Sequence, residues 1–289
     1  MREPDCVLLR MGEQALKSEQ VQAKWDRILQ ENIRAALDAA GVKADLETNP
    51  NRVFVYTGQI DEAIKSLQKV FGITSMSPAW VTQSKLDSIS NLAVDFAKEV
   101  LKLTQAGSFA IRAHRAGRHK FTSKEVAEVA GGAVKKSTGA RVDLGKPKHE
   151  IEIEVRSRRS YIIGERMDGP GGLPLGSGGK ALALLADEED LAAAWLIAKR
   201  GVELVVLAVP GTEKLVHILK AWHSGREMII VNAKDLDGVA EQVKENGTKA
   251  IVMGEKTAKK ARQEGMLVLR PLVGMTGQEK GVLSSAIKS

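Results

Sequence analysis

The 289-residue chain is longer than the roughly 100–200 residues of a typical single domain, so two or three compact units are expected. With 43% hydrophobic and 27% charged residues, and no apolar run near the roughly 20 residues a spanning helix needs, the composition excludes the disordered and helical-membrane classes. The formal net charge is +7, and residues 101–165 carry 14 Lys+Arg against 7 Asp+Glu, so one segment holds the entire surplus.

Charge concentrated in this way is the footprint of a polyanionic partner. The N-terminus "MREPDC" opens no signal peptide, and the chain is expected in the cytoplasm with no membrane partner. Cys6 is the one cysteine, so this sequence can build no internal disulfide, Cys-x-x-Cys zinc site or paired-thiol relay. Its place at the head of "CVLLRM" reads as a small buried hydrophobe.

In chain order, "CVLLR" predicts a strand, and Val21, Trp25, Ile28, Leu29, Ile33, Ala36 and Leu37 then recur at helical spacing. "DLE" and "RVFVYTG", separated by Asn49-Pro50-Asn51, predict two strands, and "IDEAIKSLQKVFG" predicts a helix stopped at Gly72. Strand, helix, strand, strand, helix is the order of a small ferredoxin-like α+β domain, over 1–72.

A second unit is expected over 73–168. It begins with an extended run interrupted at Pro78 and continues with the helix "LDSISNLAVDFAKEVLKL" and the strand "SFAIRAHRAG". A helix capped by Thr122 or Ser123 follows, then the strands "HEIEIEVRS" and "RSYIIGERM", the first alternating Ile151, Ile153 and Val155. Six glycines and two prolines in the twelve residues "DGPGGLPLGSGG" mark a linker, 169–180. Over 181–289, apolar strands alternate with amphipathic helices: "ALALLA", "EEDLAAAWLIAKRG", "VELVVLAVP", "EKLVHILKAW", "EMIIV", "LDGVAEQVKEN", "KAIVMG", a short basic helix and "MLVLRPL". That alternation predicts a doubly wound parallel sheet.

Phosphate contacts need Lys, Arg and backbone donors. "IRAHRAGRHKFTSKE" supplies Arg112, His114, Arg115, Arg118, His119 and Lys120 around a Gly117 turn, with Ser123 at the following helix start. Lys135, Lys136, Arg141, Lys146 and Lys148 extend the patch, and Lys17 is a candidate for a terminal phosphate. Phe109, Phe121 and Tyr161 look like packing positions, so recognition of a duplex stem or terminus by shape and backbone is expected over base stacking. His217 and His223 lack a spaced partner acid and read as surface or packing residues.

Six motifs in order carry a resemblance: "GEQALKS", "NIRAAL", "FAIRAHRAGRHKFTSKEVAEVAGGAV", "GPGGLPLGS", "AIVMGE" and "LVLRPL". Over some 260 residues they resemble the tRNA 4-thiouridine synthetase (tRNA sulfurtransferase) family. The resemblance implies an N-terminal ferredoxin-like domain, a THUMP RNA-binding domain and a C-terminal Rossmann-like pyrophosphatase-loop domain. It also implies that the first two hold the acceptor end of tRNA, and that the third uses ATP to adenylate uridine 8 before sulfur is delivered.

A pyrophosphatase loop, S-G-G-x-D-S, follows its strand so that glycines let backbone N–H groups approach phosphate. "SGGK" at Ser177–Lys180 precedes its strand and reads as a linker turn. Aligned on "AAAWLIAKRGVELVV", the family's loop position falls on Leu185, Ala186, Asp187, Glu188, Glu189 and Asp190, without glycine. Four consecutive carboxylates would oppose a triphosphate, since like charges near 4 Å repel by about 4 kcal/mol at an effective dielectric of about 20. The same acids can simply cap the helix start. The family's Cys-x-x-Cys before the "VMGE" segment is also missing, and Met253 replaces its threonine while Glu255 remains.

The resulting expectation is a tRNA-binding accessory of tRNA modification, with a degenerate loop, no catalytic residue, no metal site and no cofactor. One alternative is an active tRNA sulfurtransferase that binds ATP with Mg through an altered loop and takes sulfur from outside. Another is a docking scaffold for a separate tRNA-modification protein. Homodimer formation is left open.

Overall fold

The structure is a computed structural model that describes residues 2–12, 18–49, 52–232, 248, 250–260 and 267–288. Lys17 and the predicted helix "LDGVAEQVKEN" lie outside the described residues. The chain divides into two compact units, one of Met1–Leu9, Ala44–Ile60 and Met76–Met167, the other of Arg10–Lys43, Asp61–Ser75 and Asp168–Ser289.

The first unit carries a mixed sheet. Its strands are β1 (Cys6–Met11), β2 (Asp45–Asn49), β3 (Arg52–Tyr56), β4 (Ile73–Gln83), β5 (Ser108–Arg115), β6 (Arg141–Val142), β7 (His149–Val155), β8 (Arg159–Ile163) and β9 (Met167–Asp168). The order is β2-β3-β1-β4-β8-β7-β5-β6, with β9 on β4. Alternation along β7 sends Ile151, Ile153 and Val155 to one face, where α3 (Leu86–Asp95) and α4 (Ser123–Thr138) complete a core with Trp80, Phe96, Phe109 and Val126.

The opposite face is concave. Arg52 on β3 lies 3.7 Å from Glu154 on β7, four strands away in the sheet order. Phe54 on β3 stacks on Tyr161 of β8 at 4.2 Å between centroids. Such contacts need a strongly coiled sheet, in the sense of ordinary right-handed strand twist. The coil encloses Cys6, Leu8, Phe54, Ala79, Tyr161 and Ile163.

The second unit contains a parallel sheet in the order β12-β11-β10-β13-β14. Its strands are β10 (Lys180–Leu185), β11 (Glu203–Ala208), β12 (Ile230–Asn232), β13 (Ala250–Val252) and β14 (Leu267–Leu269). They are joined by α5 (Glu188–Lys199), α6 (Glu213–Ala221) and α7 (Glu255–Lys260), with α8 (Gly277–Lys288) closing the chain. α1 (Glu19–Ala39) and most of α2 (Ile60–Leu67) belong to this unit as well. Buried Asn32 of α1 donates to the Leu175 carbonyl at 3.0 Å, and Phe71 packs between Trp195 and Trp222.

Three elements differ from expectation. β4 runs unbroken through Pro78, whose carbonyl accepts from Gly164 N–H at 2.8 Å, so the missing proline donor does not stop the pairing. The predicted helix from Leu86 ends at Asp95 and passes into a π-helical turn, Phe96–Val100. Leu101 N–H reaches back five residues to the Phe96 carbonyl, and Phe96 sits edge-on to Trp80 at 4.9 Å. α8 has no counterpart among the elements predicted from sequence.

Candidate functional site

β5 and β7 run parallel and in register, from Phe109 beside His149 to Arg115 beside Val155. The loop after β5 therefore meets the β7–β8 turn, and Ala116 N–H bonds the Val155 carbonyl at 2.9 Å. Gly117 has φ +90°, and a Cβ there would lie 3.2 Å from Ser157 Oγ, so the two loops touch at a position that favours glycine. His119 reaches back to the Ala116 carbonyl at 3.2 Å, and Arg115 to the Gly117 carbonyl at 3.4 Å.

This junction gathers Arg115, Arg118, His119 and Lys120 with three arginines that sequence reasoning missed, Arg156, Arg158 and Arg159. The run "RSRRS" was the available signal. Arg159 bonds Glu47 of β2 at 2.7 Å and lies 5.0 Å over the Tyr56 ring, while Arg156 bonds Glu154 at 2.6 Å. The side chains of Arg118, Lys120 and Arg158 make no ion pair among the described residues. A pocket of about 500 Å³ opens here, lined by Gly117, Arg156, Ser157, Arg158, Arg159 and Glu47. The arrangement offers fixed and free cations around one concavity, suited to phosphate oxygens.

The other candidates are placed elsewhere. α4 closes its own N-terminus with a capping box in which Thr122 and Glu125 satisfy each other's backbone donors. Those hydrogen bonds hold the Glu125 carboxyl below its ordinary pKa. Ser123 is the first residue of that helix. Lys135 and Lys136 lie in its last turn, and Arg141, Lys146 and Lys148 follow at the opposite end of β5. Arg112 sits between the two ends, bound to Glu150 at 2.8 Å and to the Leu144 carbonyl at 2.9 Å. His114 is exposed two residues farther along β5.

In the parallel sheet, β10 and β13 are neighbours whose continuations run to opposite sides, which makes their carboxyl ends the switch point where open α/β sheets bind ligands. Asp187 caps α5, its carboxylate accepting from Glu189 and Asp190 N–H at 2.8 and 3.0 Å. Asp190 is fully buried. Its carboxylate accepts from the N–H groups of Ala186 at 2.9 Å, Asp187 at 3.2 Å and Gly254 at 2.7 Å, and from the Thr257 hydroxyl at 2.8 Å. Burial pushes the Asp190 pKa up, and these donors oppose that shift.

The four consecutive carboxylates divide in this geometry: Asp187 and Asp190 accept N–H groups of their own loop, and Asp187, Glu188 and Glu189 line an adjoining cavity. Asp187 and Asp190 turn into the loop because orphan N–H groups at the helix start need acceptors. Glu188 and Glu189 are matched by Lys288 at 2.6 Å and Lys280 at 3.3 Å, and Glu255 by Arg270. Beside them lies a cavity of about 530 Å³ lined by Asp187, Glu188, Lys256, Ser284 and Lys288. Leu185 is the buried last residue of β10, and Ala186 lies in the turn that follows.

"SGGK" forms a turn before β10, with Gly176 and Gly178 N–H both bonding the Gly201 carbonyl at 2.8 Å. Cys6 is buried, and desolvation pushes its thiol up to about 12, so it offers no thiolate at neutral pH. No group of three or more His, Cys, Asp and Glu able to hold a metal ion occurs among the described residues. No described helix is long and apolar enough to cross a membrane.

Comparison with known proteins places these features. Residues 6–77 match the ThiI ferredoxin-like domain and residues 83–164 the THUMP domain. A probable tRNA sulfurtransferase of Methanobrevibacter smithii is 38% identical over 207 residues, covering 70% of this chain and 53% of that protein. The tRNA sulfurtransferase of Pyrobaculum aerophilum is 35% identical over a 321-residue alignment, covering 95% of this chain and 65% of that one. The chain thus spans about half to two thirds of the length of these relatives. The crystal structure of PH1313 from Pyrococcus horikoshii matches with a TM-score of 0.83 and 27% identity over 98% of this chain and 99% of that one. A 4-thiouridine synthetase solved as an RNA complex with bound ATP shares the fold, with a TM-score of 0.80 at 21% identity over 99% of this chain and 85% of that one.

Proposed function

The chain belongs to the tRNA 4-thiouridine synthetase (tRNA sulfurtransferase) family, and from that premise we propose that it binds tRNA at the Arg115–Lys120 and Arg156–Arg159 junction as an accessory of tRNA modification. Arg118, Lys120 and Arg158, which make no ion pair among the described residues, lie beside arginines already fixed by Glu47 and Glu154 and give a site for backbone phosphates of an acceptor stem or terminus. The tRNA sulfurtransferases among its relatives, and the 4-thiouridine synthetase solved with RNA, support RNA as the polyanion.

The observation that carries the accessory reading is the Asp190 carboxylate. It takes four donors at the position where the family's loop would offer backbone N–H groups to phosphate. A nucleotide phosphate would have to displace a buried, hydrogen-bonded side chain of the chain itself. Sulfur delivery would need a thiolate from outside this sequence, because Cys6 is buried and protonated.

A second reading, an active enzyme taking ATP with Mg, is favoured by a separate feature. A pocket of about 420 Å³ opens beyond β11 and β12, where apolar Ala208, Val209, Pro210, Val216 and Ile230 meet polar Thr212, Glu213 and Asn232, a mixed lining of the kind small-molecule sites use. The deciding experiment measures binding of an unmodified tRNA transcript across a salt series. Salt-sensitive affinity lost on combined charge reversal at Arg115, Arg118 and Arg158 supports the proposal; affinity unchanged by that reversal rejects it.

A further inference from the structure

The loop Arg141–Lys148 lies at the opposite end of β5 from the Arg115–Lys120 junction, and it is braced from three directions. Asp143 Oδ1 accepts from Gly145 and Lys146 N–H at 3.2 and 3.0 Å, turning the chain on itself. Ser108 Oγ accepts from Lys148 N–H at 3.0 Å, fixing the loop's exit to the start of β5. Arg112 supplies the third brace: its guanidinium donates to the Leu144 carbonyl and to Glu150, both at 2.9 Å. The side chains of Lys146 and Lys148 make no ion pair among the described residues. Ion pairing takes up the loop's one acid, Asp143, with Arg141 at 3.3 Å.

A surface loop that serves only to connect strands needs no such bracing, since connections are ordinarily the more mobile parts of a fold. Here the bracing holds an exposed, net-basic tip in one conformation, next to Lys135 and Lys136 in the last turn of α4. Preorganised cations bind a polyanion with less ordering cost than flexible ones. The seven residue steps of β5 at about 3.3 Å each separate this tip from the Arg115 end by about 23 Å, so no single phosphate reaches both.

We propose that the Arg141–Lys148 loop is a second RNA-backbone contact, made to a different stretch of the same tRNA, and that Arg112 is a positioning residue that holds the loop in place. This rests on the reading of the chain as a tRNA binder. It assigns Arg112 the role of brace, where sequence alone suggested a phosphate ligand.

The test compares four proteins for binding of an unmodified tRNA transcript over a salt series: wild type, Lys146→Ala/Lys148→Ala, Arg112→Met, and the triple variant. Circular dichroism melts check that each is folded. The double lysine variant is expected to bind roughly ten-fold more weakly at low salt and to lose about one to two units of the log–log salt slope. Arg112→Met is expected to weaken binding several-fold alone and to add nothing in the double-lysine background. Lysine variants with wild-type affinity and slope would overturn the loop contact while leaving RNA binding at the other end of β5 intact. An Arg112→Met loss that is fully additive would overturn the positioning role. A wild-type chain that binds no tRNA would overturn both this proposal and the reading beneath it.

Discussion

The buried carboxylate of Asp190, on the first turn of α5, accepts the backbone N–H of Gly254 at 2.7 Å, joining the carboxyl ends of two neighbouring parallel strands. Gly254 is needed there because a Cβ would stand 2.8 Å from the Glu189 Cβ and 3.0 Å from Asp190 N. Asp190 thereby serves as the internal acceptor for a cluster of donors that would otherwise be buried without partners.

Asp190→Ala should leave three backbone donors and the Thr257 hydroxyl unsatisfied. Each orphaned buried donor costs about 1–3 kcal/mol before relaxation or water entry. With partial solvation, a net loss of about 3 kcal/mol is expected in urea unfolding, with an unchanged m-value as the sign that the fold persists.

Tyr161 separates ring packing from hydrogen bonding. Its ring stacks on Phe54, and its hydroxyl lies 2.8 Å from that of Tyr56. Tyr161→Phe should cost about 1 kcal/mol, the net worth of one hydrogen bond. Tyr161→Ala should cost about 3–5 kcal/mol, comparable to other large aromatic truncations in a core. Chemical denaturation of both variants checks the ratio.

At the basic junction, Arg118→Ala, Lys120→Ala and Arg158→Ala should each leave stability nearly unchanged, since these side chains make no ion pair among the described residues. Each should flatten the log–log salt dependence of tRNA binding by about 0.7–0.9 if it touches one phosphate. Equal effects on tRNAs of different sequence are expected, because a phosphate contact carries no base information.

His223 gives the acid dependence of stability. It is 4% exposed, and desolvation lowers its pKa below the ordinary 6.5, with Arg226 adding to the shift while Glu203 and a contact to the Arg226 carbonyl oppose it. Below pH about 6.5 the unfolded chain binds a proton that the folded chain resists, so this contribution to stability falls as pH drops from there toward the folded pKa. Substitution His223→Gln should flatten that part of a melting-temperature profile between pH 7 and 5.

The sequence made much of this legible because period and composition tracked burial. Ile151, Ile153 and Val155 alternate and line the core, and the linker glycines end where the parallel sheet begins. The basic segment was visible as charge, but its division into two ends of β5 depends on β5 and β7 being parallel, which no local pattern encodes. Arg158 was missed because it enters the site across a strand pair. Arg112 was read as a ligand because sequence cannot show Glu150 beside it. α8 escaped notice because Gly277 and Gly281 weaken its helical signal, whereas its Lys280 and Lys288 find partners only in three dimensions.

Titration calorimetry of Mg-ATP into the full chain, with and without saturating tRNA, tests the role assigned to Asp190 most directly. No saturable nucleotide binding is expected in either titration, alongside salt-sensitive tRNA binding by the same preparation. Saturable Mg-ATP binding in either titration would overturn the role assigned to Asp190.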